Sequence, residues 1–500
     1  MTSHAKSNLR LKRFLRVFVP LVAGAALLLP FALTAQQEKP WEKIPVPKLH
    51  DFKPQQPRRI ELKNGIVLFL QEDHELPFVS GSVLIPGGSR DEAPAKTGLV
   101  GIYGLAWRTS GTAKIDGDAL DDLLEAKAAH IETAGDDDST ALSWESLKGD
   151  ADQVFSLAMD LLLHPKFSQE KLELAQQQEA TGIVRRNDDE SAIAERESAK
   201  LVYGANSPYT RQPELATIGA VTLADLKAWH DRTIGGKLIV GVSGDFDSAA
   251  MEARLRAAFE SFPPVKPLPP RHDAFPGPAP GVYFINKEDV NQSDVQIVSM
   301  GLDRHNPDVP AVAVMNQILG GGFASRLFQK VRTELGLAYE VGGGISAGYD
   351  HPGPFSAVVL TKSPSTVDAT KATLAEIAGV NTRPFTEEEL ARAKDNLLSS
   401  FLFRYDTRDK VLAERERLEF YGYPADYLET YQAALKNVTV ADLTRVAKKY
   451  IQPEKMAVLV VGNGAEIKPG LDTLNLGPVH TIDIAIPQPG RPAGAAETKQ

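Results

Sequence analysis

The sequence predicts an α+β protein of two homologous halves, in which each half is a mixed, mainly antiparallel sheet packed with helices. Two observations support this fold class. A helix–turn–strand segment occurs twice at a fixed spacing, and a proline-rich segment lies between the two copies. A chain of 500 residues, 43% of them hydrophobic, is large enough to bury two such cores.

The repeat is visible in two separate pairs of segments. VTLADLKAWHDRTIGGKLIVGVSGD begins at Val221, and VTVADLTRVAKKYIQPEKMAVLVVGNG begins at Val438. Upstream, PKFSQEKLELAQQQ begins at Pro165, and RPFTEEELARAKDN begins at Arg383. In each segment a serine or threonine precedes an acidic first turn, which is typical of a helix start. The spacing between the copies is nearly the same in both pairs, which indicates that one unit was duplicated.

Each half begins with strands, and this sets the expected domain limits. RIELKNGIVLFLQED, from Arg59, carries Asn-Gly between two alternating runs, which predicts a hairpin. GVYFINKEDVNQSDVQIVSMGL takes the same place in the second half. We therefore predict a first domain at 57–262, a second at 282–485 and a disordered tail at 486–500. The linker at 263–281 contains eight prolines in nineteen residues, which favours an extended spacer.

The N-terminal residues differ from the rest of the chain. Five basic residues precede the uncharged run VFVPLVAGAALLLPFALTA, residues 17–35. A basic segment before an apolar one is typical of a secretory signal, and this run is also long enough to span a bilayer. We expect residues 1–35 to be either a cleaved signal peptide or a retained inner-membrane anchor, with the body of the protein periplasmic or envelope-associated.

Composition excludes several classes of function. The formal net charge is −10, which argues against a nucleic-acid partner. Cysteine is absent, which excludes disulfides, thiolate nucleophiles and zinc–thiolate sites. No two of the ten histidines lie three to five residues apart, so the helical zinc pattern of two imidazoles on one face is missing.

A glycine-rich segment and the helix after it carry the main site candidates. Gly320, Gly321 and Gly322 lack the following Lys-Ser/Thr pair of a phosphate loop, so we expect a tight turn or a close backbone approach there. Arg332 lies beside the apolar stripe of the helix, and Tyr339 follows seven residues later. From residue types alone, these two are either a surface arginine and a core tyrosine or a pair that faces a cleft.

The segment GGGFASRLFQKVRTELGLAY resembles the second-half signature of the pitrilysin/insulinase family of zinc peptidases, the inverzincins. In that family an arginine and a tyrosine seven residues apart face the peptide substrate, and Arg332 and Tyr339 match those positions. The resemblance covers roughly residues 57–485, including the repeat and the linker. It implies a clamshell around an unfolded peptide, with the three glycines and the Arg–Tyr pair contacting that peptide.

The first half departs from the family where the chemistry should be. Family members carry H-x-x-E-H after a TGLAH-like start. In TGLVGIYGL the two ligand histidines become Gly101 and Leu105, and the general-base glutamate becomes Gly104. Neither glycine nor leucine can bind zinc or accept a proton from water. The resemblance therefore implies a helix kept for the fold after its chemistry was lost.

The third zinc ligand of the family, a glutamate, falls at Thr181 or Gly182, with Glu179 as the nearest acid. With all four positions replaced, we expect no metal or other cofactor in this chain. Some family members work as two chains, one with the zinc motif and one with only the arginine and tyrosine. This chain is similar to the second type.

The resemblance thus implies a non-catalytic, substrate-binding subunit that is inactive alone and acts on unfolded peptides. It would supply Arg332 and Tyr339 to the zinc site of a homologous subunit that carries H-x-x-E-H and the zinc. The alternative is a peptide-binding or assembly scaffold with no hydrolytic role.

Overall fold

The computed structural model describes residues 54–265 and 273–487. The expected signal peptide or membrane anchor at 1–35 lies outside these ranges, as do the middle of the linker and residues 488–500 of the tail. Residues 273–280 of the linker have no regular secondary structure. Within the described ranges, no helix is long and apolar enough to cross a membrane.

The first half forms a mixed sheet in the strand order β1-β2-β6-β3-β5-β4, in which only β2 and β6 pair in parallel. The described strands are β1 (Arg58–Glu61), β2 (Val67–Glu72), β3 (Phe78–Pro86), β4 (His130–Gly135), β5 (Ser139–Leu147) and β6 (Ile239–Gly244). The described helices are α1 (Leu99–Thr109), α2 (Gly117–Ala126), α3 (Ala151–Leu163), α4 (Gln169–Arg185), α5 (Glu190–Tyr203), α6 (Leu215–Gly219), α7 (Leu223–Ile234) and α8 (Ser248–Phe259).

The second half forms a mixed sheet in the order β10-β12-β8-β13-β7-β14, and a short parallel pair, β9 with β11, lies beside it. The described strands are β7 (Gly281–Asn286), β8 (Gln292–Met300), β9 (Leu302–Asp303), β10 (Glu340–Ile345), β11 (Ala347–Gly348), β12 (Pro354–Lys362), β13 (Ala457–Gly462) and β14 (Val479–Thr481). The described helices are α9 (Val309–Leu319), a π-helix (Phe328–Glu334), α10 (Thr366–Gly379), α11 (Glu387–Arg404), α12 (Arg408–Phe420), α13 (Tyr427–Asn437) and α14 (Val440–Tyr450).

Local sequence chemistry explains several of these elements. The Asn64-Gly65 turn connects the antiparallel strands β1 and β2, and Gly65 has a φ of +89°, which glycine adopts without steric cost. Thr222 and Thr439 begin α7 and α14 as the N-cap residues of matching capping boxes. Each of these helices then leads into a buried central strand, β6 or β13.

The two halves are equivalent in the order and pairing of five strands each and differ at the sixth, since β1 pairs antiparallel with β2 but β14 pairs parallel with β7. Helices α4 and α11 begin at Gln169 and Glu387, and α5 and α12 begin at Glu190 and Arg408, so that both pairs have the same spacing along the chain. The order β2-β6-β3-β5-β4 corresponds to β7-β13-β8-β12-β10, with one parallel pair followed by three antiparallel pairs in each. The predicted fold class, two similar α+β halves with mixed sheets, is confirmed.

Each half also covers one sheet face of the other half. Helix α5 packs on β8 and β13 of the second sheet, and α12 packs on β2, β3 and β6 of the first. On the first sheet, Leu412 of α12 closes a buried apolar cluster with Val67, Phe69 and Ile239. The alternate residues of these strands point to the main core of the first half. Each sheet is thus held between its own helices and one exchanged helix.

Candidate functional site

Helix α1, the helix that carries H-x-x-E-H in the family resembled, is anchored by its buried face. The hydroxyl oxygen of Tyr103 lies 2.9 Å from Nδ1 of His230, and Nε1 of Trp107 donates to the carbonyl of Leu161 at 2.9 Å. Burial lowers the pKa of His230 to about 4, so its ring is neutral at pH 7. Packing and hydrogen bonding therefore hold α1 in place without any catalytic requirement.

The start of α1 is fixed by a buried carboxylate. Glu92 accepts hydrogen bonds from the backbone nitrogens of Gly98, at 3.0 Å, and Val100, at 2.6 Å. These donors belong to the first turn, where the helix has no internal acceptors for them and where negative charge is favourable. Gly98 has a φ of +101°, a conformation that favours glycine at this entry to the helix.

Gly101, which replaces the first zinc-ligand histidine of the family, faces a carboxylate on α4. We call Gly101, Gly104, Leu105 and Gly182 the degenerate positions. A Cβ at this position would lie 2.8 Å from Oε1 of Glu179, and burial raises the pKa of Glu179. Gly182, by contrast, is exposed and has no atom within 4 Å of a Cβ built on it. The sequence predicts the third ligand position of the family at Thr181 or Gly182. The structure instead brings Glu179 to α1, because it lies about one turn earlier, on the face of α4 that points inward.

The two other degenerate positions differ in their surroundings. Gly104 is buried against β4, and a Cβ there would lie 2.9 Å from the backbone nitrogen of Gly135 and 3.2 Å from Cα of Ala134. Leu105 follows it with its side chain 40% exposed. The backbone of β4 therefore occupies the space that a glutamate side chain at position 104 would need.

A zinc ion does not fit the donor groups at this place. Catalytic zinc takes three protein ligands, and here Glu179 faces two glycines and a leucine whose side chains carry no donor atom, while Glu92 is engaged by backbone N–H groups of α1. Across residues 54–265 and 273–487, no three His, Asp or Glu side chains are grouped so that they could hold a metal ion. No hydrolytic step can be derived for α1 in this chain.

We expect opposite effects when alanine replaces the two helix glycines. Gly101→Ala should be neutral or stabilising by roughly 0.5–1 kcal/mol, because alanine favours the helix and the Glu179 side chain can move aside. Gly104→Ala should be destabilising by about 1–3 kcal/mol, because backbone atoms of β4 cannot move without disturbing the sheet. Urea-unfolding midpoints of the two variants measure the difference. Equal midpoints would contradict the close packing of α1 on β4.

The second-half candidates, Arg332 and Tyr339, lie together. Arg332 belongs to the π-helix, whose wider turns are seen in the bond from Leu335 N to Lys330 O, at 3.1 Å. Its guanidinium carbon lies 4.7 Å from the ring centroid of Phe328 and 5.6 Å from that of Tyr339. The Tyr339 side chain is 73% exposed, so this residue is not a core tyrosine. π-Helical turns are rare and are frequently found at functional sites.

The glycine-rich segment extends this surface. A Cβ at Gly320 would lie 2.3 Å from the carbonyl oxygen of Gly343 in β10, so the loop packs backbone to backbone on the strand, as the sequence suggested. Gly322 has a φ of +93°, and Phe323 after it is 75% exposed. The Phe323 ring lies 4.9 Å from that of Phe328, beside Arg332. We call Phe323, Phe328, Arg332 and Tyr339 the Arg–aromatic surface.

The structure does not join this surface to α1. Among the described residues, no hydrogen bond, ion pair or ring contact links Arg332 or Tyr339 to the degenerate positions Gly101, Gly104 and Leu105. The two sites belong to different sheets of the chain.

Comparison with known proteins identifies the family. Residues 67–202 match the family described as "Insulinase (Peptidase family M16)", and residues 220–397 match "Peptidase M16 inactive domain". The chain belongs to the insulinase family. Since the family's ligand and general-base positions hold Gly101, Gly104 and Leu105, it is an inactive homologue among insulinase-family peptidases.

Individual relatives agree with this placement. "Non-peptidase homolog YmxG" of Helicobacter pylori is 23% identical over 404 residues, which are 80% of this chain and 92% of that protein. An "uncharacterized zinc protease" of Streptomyces coelicolor is 24% identical over 400 residues, covering 78% and 86% of the two chains. This insulinase-family chain is thus similar over most of its length to proteins named as peptidases and to one named as a non-peptidase.

Solved structures share the fold. A "peptidase M16 inactive domain" from Pseudomonas fluorescens superposes with a TM-score of 0.73 at 24% identity, covering 81% of this chain and 98% of that one. A "protease from Helicobacter pylori" superposes with a TM-score of 0.71 at 18% identity, covering 82% of this chain and 100% of that one. The insulinase-family fold therefore extends over both halves.

Proposed function

We propose that this chain is the non-catalytic, substrate-binding subunit of a two-chain zinc metallopeptidase that acts on peptides in the bacterial envelope. The observation that carries the proposal is a contrast between the halves. Helix α1 has no zinc-binding group at the family positions, whereas Arg332 and Tyr339 are present, adjacent and accessible. A chain of this kind cannot cleave peptides alone but can contribute hydrogen-bond donors to a site on another chain.

The Arg–aromatic surface supports this role. Phe323 and Tyr339 are 75% and 73% exposed, and clustered exposed apolar groups commonly mark interaction sites. The Tyr339 hydroxyl makes no hydrogen bond within the described chain and is free to donate one to a scissile carbonyl. Arg332, held between Phe328 and Tyr339, would donate charge-assisted hydrogen bonds to the same oxygen or to the peptide backbone.

The neighbouring strand supports a peptide as the ligand. β10 begins directly after Tyr339 and lies at the edge of the second sheet, paired with β12 on one side. An edge strand offers unpaired backbone groups to which an extended peptide can add as a further strand. An unfolded peptide bound in this way would run beside Tyr339.

The partner implied is a homologous subunit that carries H-x-x-E-H and the zinc ion, which supplies the activated water. The basic and apolar residues before position 36 support an envelope location, periplasmic or anchored to the inner membrane. No nucleic acid is part of this proposal, because the chain is acidic.

Reconstitution tests the proposal. The homologous chain with intact H-x-x-E-H from the same organism is purified and assayed alone, and then with this chain, on a library of quenched fluorescent peptides. We expect the two chains to co-elute and cleavage to require both. Cleavage by the partner alone at the rate of the mixture would contradict the proposal. Co-elution without cleavage would favour the scaffold alternative.

A further inference from the structure

A cavity of about 580 Å³ lies in the second half, and neither Arg332 nor Tyr339 lines it. Its walls come from α9, the C-terminal end of α11, α12, α13 and the loop that follows β11. The volume is within the range of about 300–1,000 Å³ that is usual for small-molecule sites. Several helices and a loop converge on this cavity, which is partly open to solvent, since Arg404, Lys410 and Arg417 are exposed.

The charge of the cavity is opposite to that of the chain. Four cationic side chains line it, Arg304, Arg404, Lys410 and Arg417, against one carboxylate, Glu414. The lining thus carries a net charge of +3 (four minus one) in a chain whose formal net charge is −10. Such a local excess of positive charge attracts anions.

Two of the cations have no carboxylate partner among the described residues. Arg304 lies 4.0 Å from Glu414, and Lys410 lies 2.7 Å from Asp406. Within the described part of the chain, no carboxylate lies within 4.0 Å of the guanidinium groups of Arg404 or Arg417. Arg417 is hydrogen-bonded to Tyr349, and the single carboxylate Glu414 lies close enough to act on both Arg404 and Arg417. One carboxylate cannot balance these cations, so both guanidinium groups keep donors for an anionic ligand.

The uncharged part of the lining is mostly apolar and includes six aromatic residues. The centroid of the Tyr349 ring lies 3.7 Å from the guanidinium carbon of Arg304 and 5.8 Å from that of Arg417, so both side chains lie against this tyrosine. Tyr427 and Tyr431 stack with their ring planes at 12° and also line the cavity. Phe403, 72% exposed, lines the cavity next to Arg404. A ligand would thus contact both aromatic rings and guanidinium groups.

We propose that this cavity binds the free C-terminal carboxylate of a short peptide, with Arg404 and Arg417 on the carboxylate and the tyrosines around the last side chain. A guanidinium group donates two parallel hydrogen bonds to a carboxylate, and its planar shape fits this anion closely. Tyrosine supplies apolar area together with a hydroxyl that can bond to a peptide group. The site requires neither the partner subunit nor the Arg–aromatic surface, so it is independent of the proposed function.

Calorimetric titration of the full chain tests the proposal with two probes that differ in one group. The first is an N-acetylated tetrapeptide, Ala-Ala-Ala-Phe, with a free carboxylate, and the second is its C-terminal amide. We expect the acid to bind about tenfold more tightly than the amide or better, because the charge-assisted hydrogen bonds are lost in the amide. Equal affinity of the two peptides, or no binding of either, overturns the proposal.

Three variants sharpen the test. Arg404→Gln should weaken binding of the acid about tenfold. Glu414→Gln should tighten it severalfold, because it removes the one negative charge that competes for the cations, and a gain of affinity cannot result from misfolding. Arg392→Gln, an exposed position of α11 outside the cavity, is the matched control and should bind as the wild type does.

Inorganic phosphate distinguishes a general anion site from a peptide site. We expect phosphate to bind more weakly than the acid peptide, because it makes no contact with the tyrosines. If phosphate binds as tightly as the peptide, or if Glu414→Gln weakens peptide binding, the assignment to a peptide carboxylate is wrong.

Discussion

Tyr339→Phe is expected to lower kcat of the reconstituted peptidase by about 10²–10³-fold, the usual effect of removing one oxyanion donor. Negative charge develops on the scissile carbonyl oxygen in the transition state, and the phenolic hydroxyl would donate to that oxygen. Phenylalanine keeps the ring that packs with Arg332, at 5.6 Å, and removes only the donor. Assembly and KM should therefore change little, and steady-state kinetics on a single peptide substrate measure the effect.

A second tyrosine provides the control for this prediction. Tyr283→Phe also removes one hydroxyl, which donates to the carbonyl of Ala279 at 3.1 Å, far from the Arg–aromatic surface in sequence and on a different strand. We expect wild-type kcat for this variant. A Tyr339→Phe complex that cleaves at the wild-type rate would show that the pair has no catalytic role, and the scaffold alternative would replace the proposed function.

Glu416→Gln is expected to stabilise the protein above pH 7 by up to about 3 kcal/mol and to have little effect near pH 4.5. Glu416 lies on the exchanged helix α12, where its carboxyl accepts a hydrogen bond from Ser82 Oγ at 2.7 Å and packs on Gly241. Burial raises the pKa of this carboxyl from 4.5 to about 7. Ionising it in the folded protein is costly, and glutamine keeps the shape and the acceptor without the charge.

The direction in which the free energy of unfolding changes with pH follows from proton binding. Between pH 4.5 and 7 the folded state holds a proton on Glu416 that the unfolded state has lost, so the wild type loses stability as pH rises through this window. Burial also raises the pKa of Asp294, under the other exchanged helix, to about 6. That group is present in both proteins, so the difference between wild type and variant isolates Glu416.

Urea-unfolding midpoints at pH 4.5, 6, 7 and 8.5 measure this difference. Glu145→Gln is a matched control, because Glu145 of β5 and Glu416 line one groove between the first sheet and α12, but Glu145 is exposed. The control should follow the wild-type dependence on pH. If Glu416→Gln also ran parallel to the wild type, its carboxyl would not be the buried, protonated group described.

The fold could be predicted from the sequence where short local motifs occur in both halves. The capping boxes at Thr222 and Thr439 and the strands after them are signals carried by a few adjacent residues, so the duplication was visible in the sequence. The exchange of α5 and α12 was not, because an amphipathic pattern shows that a helix face is buried but not which sheet buries it. The sequence did carry one sign that this face of α12 is buried. Leu412, Glu416 and Phe420 follow one another at intervals of four residues, so they lie on one face of the helix, and that face packs on the first sheet.

The candidate site was predictable in its residues but not in its geometry. The resemblance located Gly101, Gly104 and Leu105 on one helix, because they replace a contiguous motif. The approach of Glu179 to α1 depends on which face of α4 points inward, and a residue count between motifs does not show this. The cationic cavity combines side chains from positions 304 to 431, and no local pattern in the sequence brings them together.

The helix exchange also has a consequence for how the chain is made. When synthesis reaches Gly244, all strands of the first sheet have been made. Helix α12 begins only at Arg408, after the linker and most strands of the second sheet. At roughly 5–20 residues per second, the apolar face with Val67, Phe69 and Ile239 stays uncovered for on the order of ten seconds. During that interval the nascent first half exposes a surface that can associate with other chains. Folding of this protein therefore cannot proceed one half at a time, because the first sheet stays unfinished until the second half has been synthesised.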